Sequence, residues 1–521
     1  MKQKTVFCSA REAVSLISDD CTLSSLGFRY AGTPEELLAA LGQRYREEGK
    51  PTGLTLVFSS SQGNNDSKGL DHLSEGSLLH RVVGGFYGVT PKLVSRITKN
   101  ELIAYNWPQG VIGRLFHAIA AGQPGVVTRI GLKTFVDPRQ GGGRLNPLTQ
   151  ELLNQVLTLN GQEYLFYRSF PIDACFIRAT TADRDGNLSC EREAIRLEML
   201  PLAMATRNSG GIVIAQVEKV VPGHLPPRQI EVPCHLVNAV VECTDVEAGH
   251  RQCVNYVFNP EYNGEAPVQG ARVRGCNSVP QLIIAKRAAQ FLRKGEVINL
   301  GSGIPEVVGD VLRCEAGIDE KYLTVESGIN GGILAIPPDF GLAYGPDSII
   351  RQDDQFNFYE GGGLDSALLG FAEIDAEGNV NVSHFGGRLM GCGGFIDIAQ
   401  SAHRVIFCGT FNSKGLEVGF EKGKLTIRKN GTVGKFVERV NQITFNGREG
   451  CRGGQEIFVV TERCVMRLTE KGWNLEEAAP GVDVKRDILD QMKFRPAVPS
   501  DLRIMDGNCF VDSAGILKGR P

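Results

Sequence analysis

Glu326 is the residue whose type and setting most directly suggest chemistry. The apolar run Tyr322–Val325 precedes it, and the turn-rich segment Ser327–Gly332 follows at once. This pattern predicts a β-strand that delivers a carboxylate to a turn of small residues, where a second molecule can approach it. A carboxylate held in that way can act as a covalent nucleophile, although many glutamates at strand ends are simply solvated.

Three glycine-rich turns in the second half of the chain are candidates for binding oxygen atoms. Gly301-Ser302-Gly303 lies between a predicted strand and a predicted helix, but no third glycine completes a dinucleotide fingerprint. A tight turn, or a turn whose N–H groups meet a phosphate or thioester oxygen, are both open interpretations. Gly361–Gly363 and Gly391–Gly394 are either plain turns or an oxyanion-binding loop, since exposed N–H groups stabilise a tetrahedral intermediate.

In the first half, Gln109 stands out because its side chain both donates and accepts hydrogen bonds. It lies in the turn Asn106–Gly110, ahead of a predicted helix at Val111–Ala121. Simple turn and cap chemistry is the alternative role. The eight histidines form no pair at i,i+4, and the sequence contains no H-E-x-x-H, G-x-S-x-G or C-x-x-C motif. We therefore predict no metal site and no serine-hydrolase chemistry.

An internal repeat predicts how these residues are positioned. Both copies show a helix, a strand, a glycine turn, Pro-Glu and a second helix. The first copy comprises Arg11–Ile17, Cys21–Leu26, Gly27 and Pro34-Glu35, and the second comprises Arg287–Leu292, Val297–Leu300, Gly301–Gly303 and Pro305-Glu306. A second pair, Asp183–Leu188 and Asp375–Val380, predicts two similar hairpin turns, because acid-Gly-Asn supplies the backbone conformation that such turns require.

The repeat and the alternation of strands and helices predict the fold class. Strands such as Thr55–Phe58 and Ile212–Ala215 alternate with helical stretches such as Leu148–Leu159 and Val111–Ala121, which favours parallel sheets. We expect an α/β protein of two similar open α/β domains that arose by internal duplication, with the active site in the cleft between them.

The predicted domain bounds follow from a polar segment rich in helix and strand breakers. We expect an N-terminal domain at residues 1–250, a linker at 251–280 and a C-terminal domain, carrying Glu326, at 281–521.

The composition narrows the partners and the location. The chain has 521 residues, with 56 basic and 59 acidic side chains and a net charge of -3. Because no block of like charge occurs, we expect neither nucleic acid nor an anionic membrane surface as a partner. The sequence has no long apolar run and no signal-peptide pattern at Met1–Cys8. A cytoplasmic protein with reduced cysteines is the prediction.

Taken together, these segments resemble a family I coenzyme A transferase of the fused, single-chain acetate or propionate type. Thr324–Gly328 with Gly331-Gly332 matches the active-site segment of that family, whose glutamate carries the covalent chemistry. Ala104–Gly110 resembles its P-Q-G segment, which faces the active site. Further family-like segments are Gly301–Pro305, Gly361–Asp365, Met390–Phe395, Ile443–Phe445, Thr461–Arg463 and Ala479–Asp483.

The resemblance implies an activity and a set of site residues. CoA would pass between a short-chain acyl-CoA and a free acetate, propionate, butyrate or acetoacetate, by ping-pong kinetics through a glutamyl-CoA thioester on Glu326. Gln109 would orient the reacting carboxylate, and N–H groups around Gly393 and Gly394 would stabilise the oxyanion. CoA would be a substrate, with no prosthetic group, and its implied contacts are Gly301, Ser302, Gly303, Gly362, Gly363, Gly391 and Lys414.

The resemblance leaves alternatives open. The chain could be an acyl-CoA hydrolase that uses the same glutamate, or a non-catalytic acyl-CoA-binding protein. Family members are homo-oligomers, such as tetramers, so assembly is expected. Trp107 and Phe86-Tyr87 depart from the usual family pattern, and we expect both departures to reshape the acyl pocket.

Overall fold

The structure is a computed structural model, and it describes residues 4–270, 275–315, 321–335, 337–512 and 515–517. Within these ranges no helix is both long enough and apolar enough to cross a membrane. Parts of the predicted linker fall at 271–274, outside the described residues.

The first half is built on a nine-stranded sheet in the order β1-β12-β11-β9-β2-β3-β4-β5, with β10 paired to β9. Every pair in it is parallel except β9 with β10. Strands β6, β7 and β8 form a separate antiparallel sheet. In chain order, strands β1 to β12 are Val6–Phe7, Thr22–Ser25, Leu54–Phe58, Leu79–Gly84, Ile103–Asn106, Gly125–Thr128, Asn154–Leu159, Gln162–Arg168, Ala174–Ala182, Leu188–Ser189, Ile212–Val220 and Ala239–Glu242.

The second half is built on a ten-stranded mixed sheet in the order β18-β15-β14-β13-β19-β24-β29-β30-β31-β32. Its centre, from β14 through β13, β19 and β24 to β29, is parallel. In chain order, strands β13 to β32 are Val297–Leu300, Tyr322–Val325, Ile329–Asn330, Ile333–Leu334, Ala343–Tyr344, Ser348–Ile349, Ser366–Gly370, Glu373–Ile374, Val380–Asn381, His384–Phe385, Arg388–Leu389, Arg404–Cys408, Asn412–Ser413, Glu417–Glu421, Lys424–Lys429, Val433–Gly434, Glu456–Val460, Cys464–Thr469, Gly472–Ala478 and Arg503–Ile504.

Helices cover the faces of both sheets, as buried parallel strands require. In chain order, helices α1 to α11 are Ala10–Ser15, Glu35–Glu48, Pro91–Thr98, Gln109–Ala120, Met199–Asn208, Val246–Gly249, Val279–Ala289, Ile304–Cys314, Gln352–Phe358, Phe395–Ser401 and Gly447–Arg452. The parallel-sheet α/β class predicted from the sequence is confirmed.

The two copies of the predicted repeat have the same local structure. The first runs α1-β2-α2 and the second runs α7-β13-α8. Both predicted hairpins also form, with positive φ at Gly186 (92°) and Gly378 (83°). In each turn the leading aspartate, Asp183 or Asp375, accepts hydrogen bonds from backbone N–H groups two and four residues later. These shared details favour the duplication hypothesis.

One predicted element is wrong: Leu148–Leu159 is not helical. Its second part is strand β7, which pairs antiparallel with β8 across Asn160-Gly161. Both turn residues have positive φ, 49° and 76°, and Asn-Gly is the pair that such hairpin turns favour. The turn signal therefore outweighs the apolar spacing that suggested a helix.

The predicted linker packs against residues of the second half of the chain. From residue 251 to the start of α7 at Val279, the described residues contain no helix or strand. Asp339 nevertheless accepts hydrogen bonds from the N–H groups of Val254 and Asn255, at 3.0 and 3.2 Å. Tyr262 is fully buried against Tyr344, with ring centroids 4.7 Å apart. The segment is thus anchored to the second half, and the domain bounds stay a prediction.

Candidate active site

A cavity of about 650 Å³ lies where the carboxyl ends of strands from both sheets face each other. Residues that follow β2, β3, β4 and β5 line one wall, and residues that follow β13, β14, β19 and β24 line the other. In open α/β sheets, ligands bind at this edge, beside the strand where the chain order reverses. Here those reversal points are β2 and β13, so the topology alone marks the cavity as the site.

Glu326 follows the last residue of β14 and lines this cavity. The register that pairs Asn299 with Thr324 brings Gly301 level with Glu326 on the neighbouring strand. A hydrogen bond of 2.6 Å between the Thr324 and Tyr359 hydroxyl groups stabilises the end of this strand. The nucleophile predicted from the sequence is therefore held on a rigid element.

The surroundings of Glu326 change its acidity. The side chain is half-buried on the cavity wall, and burial raises the pKa of its carboxyl to about 7, while the Arg29 guanidinium opposes that rise. An ordinary glutamate has a pKa of about 4.3. Glu326 therefore holds its proton to a higher pH than an exposed glutamate does.

The glycine loop Gly391–Gly394 fits against Glu326 and against the first half. A Cβ on Gly394 would lie 2.6 Å from Glu326 Oε2 and 2.7 Å from Phe356 Cζ, so only glycine fits there. The Gly393 N–H donates to the Gly85 carbonyl at 2.7 Å, and the Gly393 carbonyl accepts from the Gln109 N–H at 3.0 Å. Within the described residues the Gly394 N–H has no partner, which leaves it available to a ligand.

Gln109 is the first residue of α4, which makes it part of the helix and not of the preceding turn. Its buried side chain reaches the cavity, and its Nε2 donates to Gln352 Oε1 at 3.0 Å. Gln352 in turn donates through Nε2 to Glu198 at 2.7 Å. This relay links Gln109 to Glu198, whose pKa burial and the neighbouring Asp353 raise to about 7.

A pair of buried carboxyl groups lies behind the glycine loop. A Cβ on Gly110 would meet Glu360 Oε1 at 2.7 Å and Asp397 Oδ1 at 2.8 Å, so the two groups lie side by side. Arg114 forms an ion pair with Glu360. Burial and the neighbouring Glu360 raise the pKa of Asp397 well above its usual value, because two adjacent buried carboxyl groups resist being ionised together.

Two lysines line the cavity. Lys414 is exposed, whereas Lys435 is half-buried with its Nζ 4.2 Å from the Phe371 ring centroid. Burial lowers the pKa of Lys435 to about 8, while Glu462 opposes that change. Neither side chain has a hydrogen-bond or ion-pair partner in the described parts of the chain. Neighbouring strands lie about 4.8 Å apart, so the end of β24, three strands from β14, is roughly 14 Å from Glu326.

The other predicted site residues divide into two groups. Gly301, Ser302 and Gly391 line the cavity together with Glu326. Gly303, Gly362 and Gly363 do not: the Gly303 N–H donates to Glu306 Oε2 at the start of α8, and Gly362 lies in an exposed turn after α9.

Sequence reasoning missed part of the wall. Arg29, Ser60 and Phe340 line the cavity, yet no local motif marks them. For Arg29 a signal existed, because the repeat places it in the turn equivalent to Gly301–Gly303. Of the two departures from the family pattern, Phe86 lines the cavity, but Trp107 is fully buried against Tyr167 in the core. The expectation that Trp107 shapes the acyl pocket is wrong.

Comparison with known proteins identifies the family. The Coenzyme A transferase family matches residues 7–243. Over 510 residues the chain is 40% identical to a caffeate CoA-transferase of Acetobacterium woodii, with 97% of both chains covered. The chain belongs to the coenzyme A transferase family. It is also 39% identical over 510 residues to the acetate CoA-transferase YdiF of Escherichia coli (strain K12), covering 97% of this chain and 95% of that protein.

Solved structures extend this similarity to the fold. The transferase matches the crystal structure of the acyl-CoA transferase YdiF apoenzyme from Escherichia coli O157:H7 with a TM-score of 0.92 at 37% identity, covering 99% of this chain and 98% of that one. A thioester complex of YdiF with CoA matches with a TM-score of 0.91 at 38% identity, covering 98% and 97%. The protein is thus an enzyme that transfers CoA between an acyl-CoA and a carboxylate.

Proposed function

We propose that this transferase exchanges CoA between a short-chain acyl-CoA and a free carboxylic acid through a glutamyl-CoA thioester on Glu326. The observation that carries the proposal is the position of the Glu326 carboxylate. It lies on the wall of the cavity, at the end of strand β14, near the Gly394 N–H, which has no partner in the described part of the chain.

The proposed reaction takes place in two matched halves. The Glu326 carboxylate attacks the thioester carbonyl, and CoA leaves as its thiolate, which gives a mixed anhydride. The thiolate then attacks the glutamyl carbonyl and releases the first acid, so that Glu326 carries CoA as a thioester. The incoming acid repeats these steps in reverse, in the manner of covalent catalysis with ping-pong kinetics.

Gly394 is the better candidate for the oxyanion donor. The Gly393 N–H already donates to Gly85, whereas the Gly394 N–H has no partner among the described residues. A donor aimed at the developing oxyanion is typically worth roughly 3–4 kcal/mol. Gln109 contributes from the opposite wall, where its amide can position the reacting carboxylate.

The cavity also suggests how CoA lies. Lys414 and Lys435 line the cavity, and Lys435 Nζ lies beside Gly409, which follows β24; cations there suit the phosphates of CoA. The thiol end would then reach Glu326 past Gly301, Ser302 and Gly391. Contacts remote from the reacting atoms provide binding energy that the chemical step can use.

The acid is proposed as a member of the acetate, propionate, butyrate and acetoacetate class. The similar relatives are named for caffeate and for acetate at nearly equal identity, 40% and 39%, so their names do not choose between a large and a small acid. Discrimination of one methylene group is worth roughly 1–3 kcal/mol and depends on the pocket. A cytoplasmic location and homo-oligomeric assembly stay predictions.

Initial-rate kinetics test the proposal. Acetyl-CoA is varied against acetate, propionate, butyrate, acetoacetate and caffeate, and CoA transfer is measured by separating the thioesters. Parallel double-reciprocal lines are expected, because the first acid leaves before the second binds. Intersecting lines would contradict the covalent route. Release of free thiol without any added acid, at a comparable rate, would instead make the protein an acyl-CoA hydrolase.

A further inference from the structure

Arg29 is a cation on the cavity wall that the proposed mechanism does not use. It follows β2, the strand at which the order of the first sheet reverses, and it lines the cavity together with Glu326. Its side chain is half-buried and lies over the Phe340 ring, and within the described residues its guanidinium makes no hydrogen bond or ion pair. A guanidinium with five donors left unpaired on a cavity wall points to an anionic ligand.

The local structure holds Arg29 in place. Its φ is +54°, a left-handed conformation that residues other than glycine seldom adopt. The guanidinium carbon lies 5.4 Å from the ring centroid of Phe340, and that ring lies 6.1 Å from the ring of Phe28. The cation is thus supported by an aromatic surface, to which an apolar acyl chain could bind.

The acidic residues near Arg29 have other partners. Three carboxylates act on its charge, those of Glu306, Glu326 and Asp339, while burial lowers its pKa. Asp339 accepts from the N–H groups of Val254 and Asn255, and Glu306 accepts from the Gly303 N–H. Glu326 is the one of the three that lines the cavity.

The charge on Glu326 changes during the proposed cycle. In the free enzyme its carboxylate faces Arg29, but in the thioester form that negative charge is gone. Arg29 then lies beside a neutral glutamyl thioester and has lost one of the three carboxylates that act on its charge, the one that shares the cavity with it. An incoming carboxylate restores the balance when it binds, and the negative charge returns to Glu326 when the cycle closes.

We propose that Arg29 binds the carboxylate of the acid substrate, and that it does so in the thioester form of the enzyme. The inference rests on the proposed function. It assigns to the acid a monocarboxylate whose charged end lies at Arg29 and whose apolar end lies against Phe28 and Phe340. It also gives each half of the protein one charged partner in the reaction.

The two half-reactions of Arg29→Gln and Arg29→Lys test this proposal. We expect Arg29→Gln to raise KM for the acid, measured on isolated enzyme–CoA thioester, by roughly 10- to 100-fold, the loss typical of a hydrogen-bonded charge. KM for acyl-CoA in the first half-reaction should change by less than about 3-fold, and Arg29→Lys should recover part of the acid affinity. Lys435→Gln serves as the matched control. It should raise KM for acyl-CoA and leave KM for the acid nearly unchanged.

An unchanged KM for the acid in Arg29→Gln, with normal formation of the thioester, would overturn the role of Arg29 and leave the proposed function intact. A fall in kcat alone, with both KM values unchanged, would also overturn it. If neither variant folds, ligand binding to the wild-type enzyme tests the proposal instead. Ethanesulfonate, an unreactive monoanion, should bind the thioester form at least about 10-fold more tightly than the free enzyme at pH 8, and equal binding would refute the proposal.

Discussion

The two walls of the cavity follow strands of two α/β sheets with similar local structure, yet they carry different chemistry. The wall from the second half provides the Glu326 carboxylate, the glycine loop and the two lysines, whereas the wall from the first half provides Arg29 and Gln109. Both sets of residues follow the carboxyl ends of parallel strands. The difference shows that the strands fix where a side chain is presented, while the turn after each strand decides what it does.

Substitution of Glu326, on the wall from the second half, should cause the largest loss of CoA exchange. Glu326→Gln keeps the shape of the side chain but removes the attacking carboxylate, so CoA exchange should fall by about 10⁴- to 10⁶-fold, as for other covalent nucleophiles. The measurement is CoA exchange between acetyl-CoA and an acid. Glu421→Gln, at an exposed strand end, is the matched control and should be fully active. Appreciable CoA exchange in Glu326→Gln would contradict the proposal that Glu326 is the nucleophile.

The glycine loop should come next in the size of its effect. In Gly394→Ala the new methyl group would collide with Glu326 Oε2 and with the buried Phe356 ring, which displaces both the nucleophile and the nearby N–H donor. We expect kcat to fall by roughly 10²- to 10³-fold, the range for loss of an oxyanion donor. Gly223→Ala, where a Cβ meets no atom within 4 Å, is the control. Unimpaired kcat in Gly394→Ala would mean that this loop takes no part in the reaction.

On the wall from the first half, substitution of Gln109 should lower kcat by less than substitution of Gly394 does. Truncation in Gln109→Ala removes the amide that the Gln352–Glu198 relay holds in place, so the acid is positioned less well. A decrease in kcat of roughly 10- to 100-fold is expected, because misplacement of about 1 Å can cost 10²-fold. Single-turnover rates measure it, with the exposed Gln162→Ala as control. A larger loss at Gln109 than at Gly394 would reverse the ranking of the two walls.

The pH dependence of the first half-reaction joins the two walls, because Arg29 from one acts on Glu326 from the other. In the proposed mechanism only ionised Glu326 attacks, and burial raises the pKa of this group to about 7. Thioester formation should therefore rise with pH, about 10-fold per unit below pH 6, and level off above pH 8. Tyr359 and Cys392 also face Glu326, and both stay neutral over this range because burial raises the pKa of each. A rate that is constant from pH 5 to 8 would contradict the buried carboxylate.

The smallest effect should appear in the pH dependence of the melting temperature. It arises at Gly110 and Asp397, where the two walls contact each other. A carboxyl whose pKa is raised in the folded state stabilises the fold fully below its unfolded pKa, and that contribution is lost as the pH rises through the folded value. Melting of the wild type should therefore decline by a few degrees between pH 5 and 8, since 1 kcal/mol corresponds to roughly 2–4 °C in domains of 150–250 residues. Asp397→Asn should show less decline than exposed Asp501→Asn in calorimetry. Equal declines would count against the raised pKa of Asp397.

The sequence predicts the skeleton of the site better than its details. Strand β14, the glycine turn after β13 and the two acid-Gly-Asn hairpins are local patterns with local causes, and these predictions are confirmed. Leu148–Leu159 was misassigned because apolar spacing was given more weight than the Asn-Gly turn that follows it. The hydrogen bond from the Gly393 N–H to Gly85 joins residues 308 positions apart, and no local pattern reveals it.

Arg29 was missed for a related reason. Its significance comes from facing Glu326 across the cavity, and that proximity depends on how the two sheets meet. The raised pKa of Glu326 likewise reflects burial by residues from both halves, whereas the sequence alone suggests an ordinary glutamate. Trp107 shows the opposite error, because an unusual residue beside a site can belong to the core.

Mass spectrometry of the enzyme trapped during turnover tests the central claim most directly. The protein is mixed with acetyl-CoA, quenched without added acid and digested, and the peptide that spans residues 322–332 is examined. The account predicts a CoA adduct on Glu326 that hydroxylamine cleaves and borohydride reduces, and no adduct in Glu326→Gln. A label on another peptide, or an unmodified peptide in enzyme that exchanges CoA once an acid is added, would contradict it.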